Sequence, residues 1–334
     1  MDPLSDLLSL LKPRSYITAG FDAGGEWALS LDDLAGRIKC YAVIRGSCWL
    51  KAEGTETAIR LAAGECFVLP SGRDVIIASG PDVAPRPASE VLDPDSSGNV
   101  ISVNGGGACY LVGSRFEVSG RHAALLLRSL PPLIRIRATG GQARLRGLIE
   151  MMMEEMREAR AGSSLMAQQL SHMMLVQALR LHVEEQGPDE TGWLAALADP
   201  HVGPAIRAIH GEPARAWSLE TLAREVGMSR TVFAQRFKRK VGATPIAYLT
   251  RWRMMLAGER LIETRDSIAE IATSLGYVSE YAFAAAFKRE MGCPPRRYLR
   301  ETGGLSPVKR QADGRASDRV SQFPVAADDG AFLP

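Results

Sequence analysis

Leu4, Leu7, Leu8, Leu10 and Leu11 recur at steps of three and four, the spacing of one buried helical face, so a helix is expected over residues 1–13. From Tyr16 to about Val118 the apolar runs shorten and are cut by Gly, Pro and Asp. Strands are expected at 27–31, 40–44, 47–52, 57–61, 66–69, 75–78 and 108–112, and many short strands at near-regular spacing argue for a sandwich or small barrel. Gly46 is read as the turn between the second and third of these strands, and 81–107, rich in Pro, Gly, Ser and Asp, as a long loop. Beyond His122 the pattern becomes helical. Helices are expected at 123–130, stopped by Pro131 and Pro132, at 142–160 and 163–185 on either side of Gly162, and at 201–209. Leu170, Met173, Met174, Gln177 and Leu181 form a stripe on the longest of these, and that stripe is expected to make a dimer contact. Gly, Pro, Ser, Asp and Ala dominate 303–334, which reads as a disordered tail.

Two stretches of the chain repeat each other. Ser218, Leu219, Leu222, Ala223, Val226 and Gly227 match Ser267, Ile268, Ile271, Ala272, Leu275 and Gly276. After one inserted residue, Phe237, Lys238, Gly242, Pro245, Tyr248 and Leu249 match Phe287, Lys288, Gly292, Pro295, Tyr298 and Leu299. Each copy reads as a short helix, a Gly-containing turn and a second helix carrying aromatic and basic residues. That is the pattern of a helix-turn-helix, and two in tandem are far more specific than one. Residues 245–263 between the copies read as a single helix about 28 Å long at 1.5 Å per residue. Such a rod could hold two reading helices about one DNA turn apart, near 34 Å, with Tyr248, Trp252, Leu256 and Leu261 packing it to both lobes.

The 334 residues are too many for one ordinary core, and 46% apolar with 23% charged residues is the balance of a globular protein. Domains are accordingly expected at 1–122 (strand-rich), 123–190 (helical linker and dimerisation region) and 200–302 (double helix-turn-helix), with the tail at 303–334. No apolar run is long enough for a membrane span and no signal peptide is visible, so no membrane partner and a cytoplasmic location are expected. Cys40, Cys48, Cys66, Cys109 and Cys293 are scattered and odd in number, and they read as reduced, packed thiols. The net charge of +2 conceals an asymmetry: residues 213–301 hold 16 Lys and Arg against 9 Asp and Glu, a surplus of +7, leaving −5 for the rest. A basic segment on a mildly acidic body suits a nucleic-acid module.

The run Gly276-Tyr277-Val278-Ser279-Glu280-Tyr281-Ala282-Phe283, followed by Phe287-Lys288-Arg289, Gly292, Pro294-Pro295 and Tyr298, resembles the signature of AraC-type bacterial transcription regulators. The N-terminal part, notably Leu126-Leu127-Arg128-Ser129-Leu130-Pro131-Pro132-Leu133, is similar to the cupin-like sensor domain of one branch of that family. The resemblance implies an α+β chain of two domains, a cupin-like β-barrel (jelly roll) with helices and an all-α domain with two helix-turn-helix motifs joined by a long helix. It further implies a DNA-binding regulator, an activator, whose barrel senses a small molecule and whose partners are double-stranded DNA, RNA polymerase and a second copy of the chain.

In the first motif Ser218 and Ser229 are placed to cap the two helices, with Phe233, Phe237 and Val232 toward the core. Thr231, Ala234, Gln235 and Lys238 share the opposite face, which in the family enters the major groove. Gln235 there can pair with adenine and Thr231 with a thymine methyl or a base edge. Arg230, Arg236, Lys238, Arg239 and Lys240 are available for phosphates. In the second motif Ser267 and Glu270 form a capping-box pattern, and the reading helix is expected from about Ser279 to Arg289. Its face would present Ser279, Glu280, Tyr281, Ala284 and Ala285, with Lys288 and Arg289 for the backbone. Common family members often carry Arg, Gln or Thr where this chain has Ala284 and Ala285. The second motif is therefore expected to give phosphate anchoring and shape readout more than direct base selection. For Tyr281, a buried position and a base contact are equally open.

Phe237 and Phe287 are better explained as core than as base wedges, and the run Met151-Met152-Met153 with Met156 as core than as a ligand patch. Metal-dependent cupins need several histidines in the barrel, and 16–118 contains none, so neither metal nor cofactor is expected and the chain is not read as an enzyme. The competing class, a cupin-fold small-molecule-binding protein or enzyme with a helical assembly domain, is disfavoured by the same absence and by the basic C-terminal surplus. Arg45, Trp49, Lys51, Glu65 and Arg73 are the barrel's polar candidates for effector contact.

Overall fold

Short alternating segments in the first third of the chain fold, in the computed structural model, into two sheets that close over an apolar layer. The structure describes residues 2–303 apart from 32–35, 54, 56, 71–72, 92–99, 119–126, 128–129, 138–142 and 159, and at 15–19 the backbone alone. The expected tail, and most of the helix expected over 123–130, lie outside the described residues.

The larger sheet runs in the order β11-β6-β3-β10-β1-β9, with β1 Arg14–Ala23, β3 Arg37–Arg45, β6 Cys66–Leu69, β9 Val100–Val103, β10 Cys109–Glu117 and β11 Ile134–Ile136. The smaller runs β5-β4-β7-β2-β8, with β2 Ala28–Leu31, β4 Ser47–Ala52, β5 Ile59–Ala62, β7 Val75–Ala78 and β8 Arg86–Pro87. Phe21, Leu29, Val43, Leu50, Phe67, Ile77 and Leu111 pack between the two sheets. Strand β4 shows the period of two: Cys48, Leu50 and Ala52 are buried, while Ser47, Trp49 and Lys51 face the other way. All four residues of β6 are buried, because the larger sheet is covered on both faces. Gly46 makes the β3–β4 turn at φ +74°, and a Cβ there would sit 2.0 Å from the Ala108 carbonyl oxygen.

The outer face of the larger sheet is covered by α1 Pro3–Leu11, α2 Ala143–Glu158 and α3 Ser163–Glu184. Leu7, Leu11, Leu145, Ile149, Met152, Leu170 and Met174 join Cys66, Val68, Val112, Phe116 and Ile136 in one core. Two expectations change here. Residues 134–136, expected within a helical region, form strand β11 antiparallel to β6. The stripe of α3 is split: Leu170, Met174 and Leu181 are buried within the chain, while Gln177 is half-buried and Met173 is exposed. Burial of this sheet required a helical cover, and α3 supplies it. The outward side chains are instead Leu165, Met166 and Met173, with Met151 on α2.

The same core continues without a break into α4 Trp193–Ala198, α5 Val202–Gly211, α6 Leu219–Glu225 and α7 Arg230–Val241, through Trp193, Ile206, Ile209, Leu222, Phe233 and Phe237. Then comes the rod α8 Pro245–Glu263. A separate core of Met254, Leu261, Ile271, Leu275, Phe283, Phe287 and Tyr298 holds α9 Ile268–Ser274, α10 Glu280–Met291 and α11 Pro295–Gly303. Among the described residues no helix is long and apolar enough to cross a membrane.

Candidate nucleic-acid interface

Both repeats start and stop through their own side chains. Ser218 Oγ accepts from the Thr221 N–H at 3.1 Å while Thr221 Oγ1 accepts from the Ser218 N–H at 2.8 Å, a reciprocal capping box. Ser267 and Glu270 close the second box at 3.2 and 2.7 Å. The N–H of Ser267, then its hydroxyl, holds the exposed Glu270 carboxyl below its usual range. Ser229 and Ser279 cap α7 and α10, and left-handed Gly242 and Gly292 end them. Phe233 and Phe237 in one lobe, Phe283 and Phe287 in the other, have no exposed surface and anchor each helix by its inner face.

The outer faces are open. Arg230, Thr231, Gln235, Lys238 and Arg239 are exposed on α7, and Ala234 is half-buried. On the second helix Ser279, Glu280, Tyr281, Ala285, Lys288 and Arg289 are exposed and Ala284 is half-buried. Tyr281, left open between two readings, is 86% exposed.

Several side chains depart from expectation. Val232, expected in the core, is 52% exposed, because Phe233 and Phe237 already fill the inward angle of α7. Arg236 is not free for phosphate: its Nε donates to both carboxylate oxygens of Asp199 at 3.0 Å. Asp199 also accepts from the N–H groups of His201 and Val202, so one carboxylate caps α5 and holds α7. Burial works to raise this carboxyl, and Arg236 with the two N–H donors outweighs it, leaving the pKa below the usual range. Lys240 is buried, its Nζ donating to the carbonyls of Pro188 and Glu190 at 2.7 and 2.5 Å. Ala286, at the position equivalent to Arg236, is buried in the second lobe.

The rod α8 touches everything that must be held in place. Tyr248 and Trp252 pack on the first lobe, Leu261 on the second, and Leu256 lies against both. Arg253 donates from Nε to the Pro213 carbonyl at 2.6 Å and from Nη2 to that of Arg215 at 2.9 Å, and its guanidinium lies 5.5 Å from the Tyr277 ring centre. Close by, Gly276 at φ +79° turns against Ala214, where a Cβ would come within 2.2 Å of the carbonyl oxygen. The two lobes therefore touch, which sets their mutual angle.

A buried polar chain ties the rod to the N-terminal helix. Trp193 Nε1–H donates to the Tyr248 hydroxyl at 2.8 Å, which donates to His210 Nε2 at 2.8 Å, and His210 Nδ1–H donates to Asp6 Oδ2 at 3.1 Å. This order satisfies every group with a neutral imidazole. Trp252 stacks on that ring at 3.7 Å. Burial lowers the His210 pKa from 6.5 against the opposing pull of Asp6. Lys12, the left-handed C-cap of α1, pairs with Glu259 and Glu263 near the far end of the rod.

The barrel's five polar candidates do not converge. Trp49 and Lys51 point away from the inter-sheet core on β4. Glu65 is buried and accepts from Arg135 Nη2 at 2.8 Å and from the Ala62 N–H at 2.8 Å, a structural pairing that fastens β11. Arg45 pairs with Asp22 at 2.9 Å, and Arg73 donates to the Glu53 carbonyl at 3.4 Å. Two cavities lie by α2 instead. A groove of about 540 Å³ between α2 and α3 is lined by Leu148, Met151, His172, Met173, Val176 and Arg180, and a smaller one of about 220 Å³ by Val43, Ile44, Leu145, Ile149 and Met153. No candidate lines either. Among the described residues no group of three or more His, Cys, Asp and Glu side chains is placed to hold a metal ion.

Arg135, Asp199, His210 and Asp6 went unnoticed in the sequence, because each partner lies far along the chain and no spacing rule links them. Val278, just ahead of the Ser279 N-cap, and Ala282, on the first turn of α10, are also exposed beside Tyr281 and were not among the residues expected on that face.

Against known proteins, a family model described as Cupin matches residues 2–184, and one described as Helix-turn-helix domain matches residues 222–301. A "Putative AraC-like transcription regulator" of Streptomyces lividans is 40% identical over 300 residues, covering 89% of this chain and 98% of that one. The "RCS-specific HTH-type transcriptional activator RclR" of Escherichia coli (strain K12) is 30% identical over 312 residues, covering 92% of this chain and 100% of its own. Among solved structures, the DNA-binding domain of AdpA in complex with a target DNA is similar over 33% of this chain and 98% of that chain, at 27% identity and a TM-score of 0.31.

Proposed function

The chain belongs to the AraC-like DNA-binding transcription regulators with an N-terminal cupin domain, and on that footing we propose that α7 and α10 enter successive major-groove segments of one duplex. The observation that carries this reading is the pairing itself. Two capped helices with buried aromatic inner faces leave outer faces bearing Lys238-Arg239 and Lys288-Arg289, and one rod joins their lobes. On α7, Gln235 is the adenine-reading side chain and Thr231 meets a base edge, while Arg230, Lys238 and Arg239 neutralise phosphate. On α10, Lys288 and Arg289 serve the backbone.

The barrel and its helices form the sensing part and bind a small molecule, and the apolar groove between α2 and α3 is a better candidate for it than the five polar residues. Two copies pair through the N-terminal domain, for which the outward Leu165 and Met166 leave apolar surface outside that groove. The regulator acts in the cytoplasm without enzymatic turnover, and as an activator it meets RNA polymerase; the activator named in the Escherichia coli relative supports that sign.

Mobility-shift titrations on a footprinted site test the reading face. Gln235→Ala is expected to relax base preference at one position, at a cost of about 1–3 kcal/mol on the preferred base. Lys238→Ala should weaken all sequences alike and reduce the salt slope by about one. If neither variant alters binding, the face is wrongly placed.

A further inference from the structure

The start of α10 presents apolar surface where the start of α7 presents hydrogen-bonding groups. Val278 is 104% exposed and Tyr281 86%, and Ala282 and Ala285 are exposed beside them. Residues 281, 282 and 285 follow the helical steps of three and four on one face, and Val278 stands just ahead of the Ser279 N-cap at the same end of the helix. Their counterparts in the first motif are Met228, Thr231, Val232 and Gln235, so the difference lies at two positions, where Thr231 and Gln235 can donate and accept hydrogen bonds and Tyr281 and Ala285 stand in the second motif. Charge sorts the two ends of α10. Glu280, at its start, repels phosphate, whereas Lys288 and Arg289, two turns on, attract it. The basic end therefore takes the backbone, and the apolar start is left for the floor of the groove, as N-terminal residues of reading helices are.

In the major groove only thymine shows an apolar group, its C5-methyl. Resting on the groove-entering role proposed above for α10, we infer that the second head selects thymine by apolar contact of Val278, Tyr281, Ala282 and Ala285 with C5-methyl groups. This replaces the expectation of phosphate anchoring and shape readout more than direct base selection. The second head distinguishes T·A from A·T by the side on which the methyl lies, and it needs no side-chain amide to do so.

Replacing thymine by deoxyuridine removes the methyl and leaves every hydrogen-bonding group in place. The full-length chain is titrated against a footprinted duplex carrying deoxyuridine in the segment covered by α10, with 7-deazaadenine in the segment covered by α7 as the parallel probe. Affinity is expected to fall about fourfold for each contacted methyl removed under α10. The Val278→Ser and Tyr281→Ser proteins, altered only at exposed positions, should bind the thymine duplex more weakly and lose much of the preference for thymine over deoxyuridine. Unchanged affinity on the deoxyuridine duplex, or full discrimination retained by both variants, overturns the inference. Sensitivity to 7-deazaadenine alongside an inert deoxyuridine substitution would sink methyl reading and leave duplex reading intact. A chain that protects no duplex would remove both.

Discussion

The two lobes are copies of one pattern with opposite attachments. The first shares its core with the N-terminal domain, in an apolar cluster running from Leu7 and Phe116 through Ile206 to Phe237. The second keeps a core to itself, from Met254 to Tyr298. Matching positions have diverged accordingly. Arg236 reaches out to Asp199 and Lys240 to the carbonyls of Pro188 and Glu190, whereas Ala286, opposite Arg236, stays inside its own lobe. A duplicated unit thus became one lobe built onto the N-terminal domain and one hung from the rod. Any change in the N-terminal domain is felt directly by the first, and by the second through α8 and the contact of Gly276 with Ala214.

The sharpest break of this comparison is to empty each core. Phe237→Ala and Phe287→Ala should each cost about 3–5 kcal/mol. Amide hydrogen exchange is expected to show the first loss of protection spreading into α4, α5 and α8, and the second confined to α9, α10 and α11 with the adjoining end of α8. Equal spread from both would mean that the lobes are not separately supported.

A smaller effect follows from Asp199→Ala, which strips α5 of its cap and leaves Arg236 without its carboxylate. About 2 kcal/mol is expected, discounted because Arg236 is partly solvated. Urea denaturation checks it, and Arg236→Ala in the same background should add little. The analogous exchange Ala286→Gly in the second lobe removes a buried methyl and no charge, so its cost should be about 1–2 kcal/mol and, unlike that of Asp199→Ala, independent of salt.

The gentlest probe is pH. His210 has a lowered pKa in the folded chain, so below its ordinary value of 6.5 the unfolded chain takes up the proton first. Stability is full above that value and falls as the pH drops through the window between it and the folded pKa. The melting temperature should fall on acidification through this window, and less so in His210→Gln. Because His210 bridges Asp6 and Tyr248, the loss should register in the first lobe before the second.

Much of this was readable along the chain. Periodicity located the rod over 245–263 and the strands 47–52, 66–69 and 75–78 at the bounds the structure gives, because each is a run whose own pattern is unambiguous. Both lobes were found from the repeat, since each must bury the same aromatic face. Strands β1, β8, β9 and β11 escaped: β1 carries Ala19 and Gly20 in mid-strand, β8 and β9 lie within 81–107, expected as a loop, and β11 is three residues long, too short to show a period. Of the side chains expected on the outer face of α7, Arg230, Thr231, Gln235, Lys238 and Arg239 are exposed, whereas Val232, Arg236 and Lys240 were misassigned.

Those errors share a cause that also divides what the two levels of description decide. Local order, capping, the basic surplus and the duplicated heads are properties of near neighbours, so the amino-acid order determined them. Which cations stay free, which stripe meets solvent and which lobe joins the N-terminal domain depend on partners dozens to hundreds of residues away. Asp6 with His210, Asp199 with Arg236 and Glu65 with Arg135 are brought together only by packing, where burying a charge or an imidazole requires a partner whatever its distance along the chain.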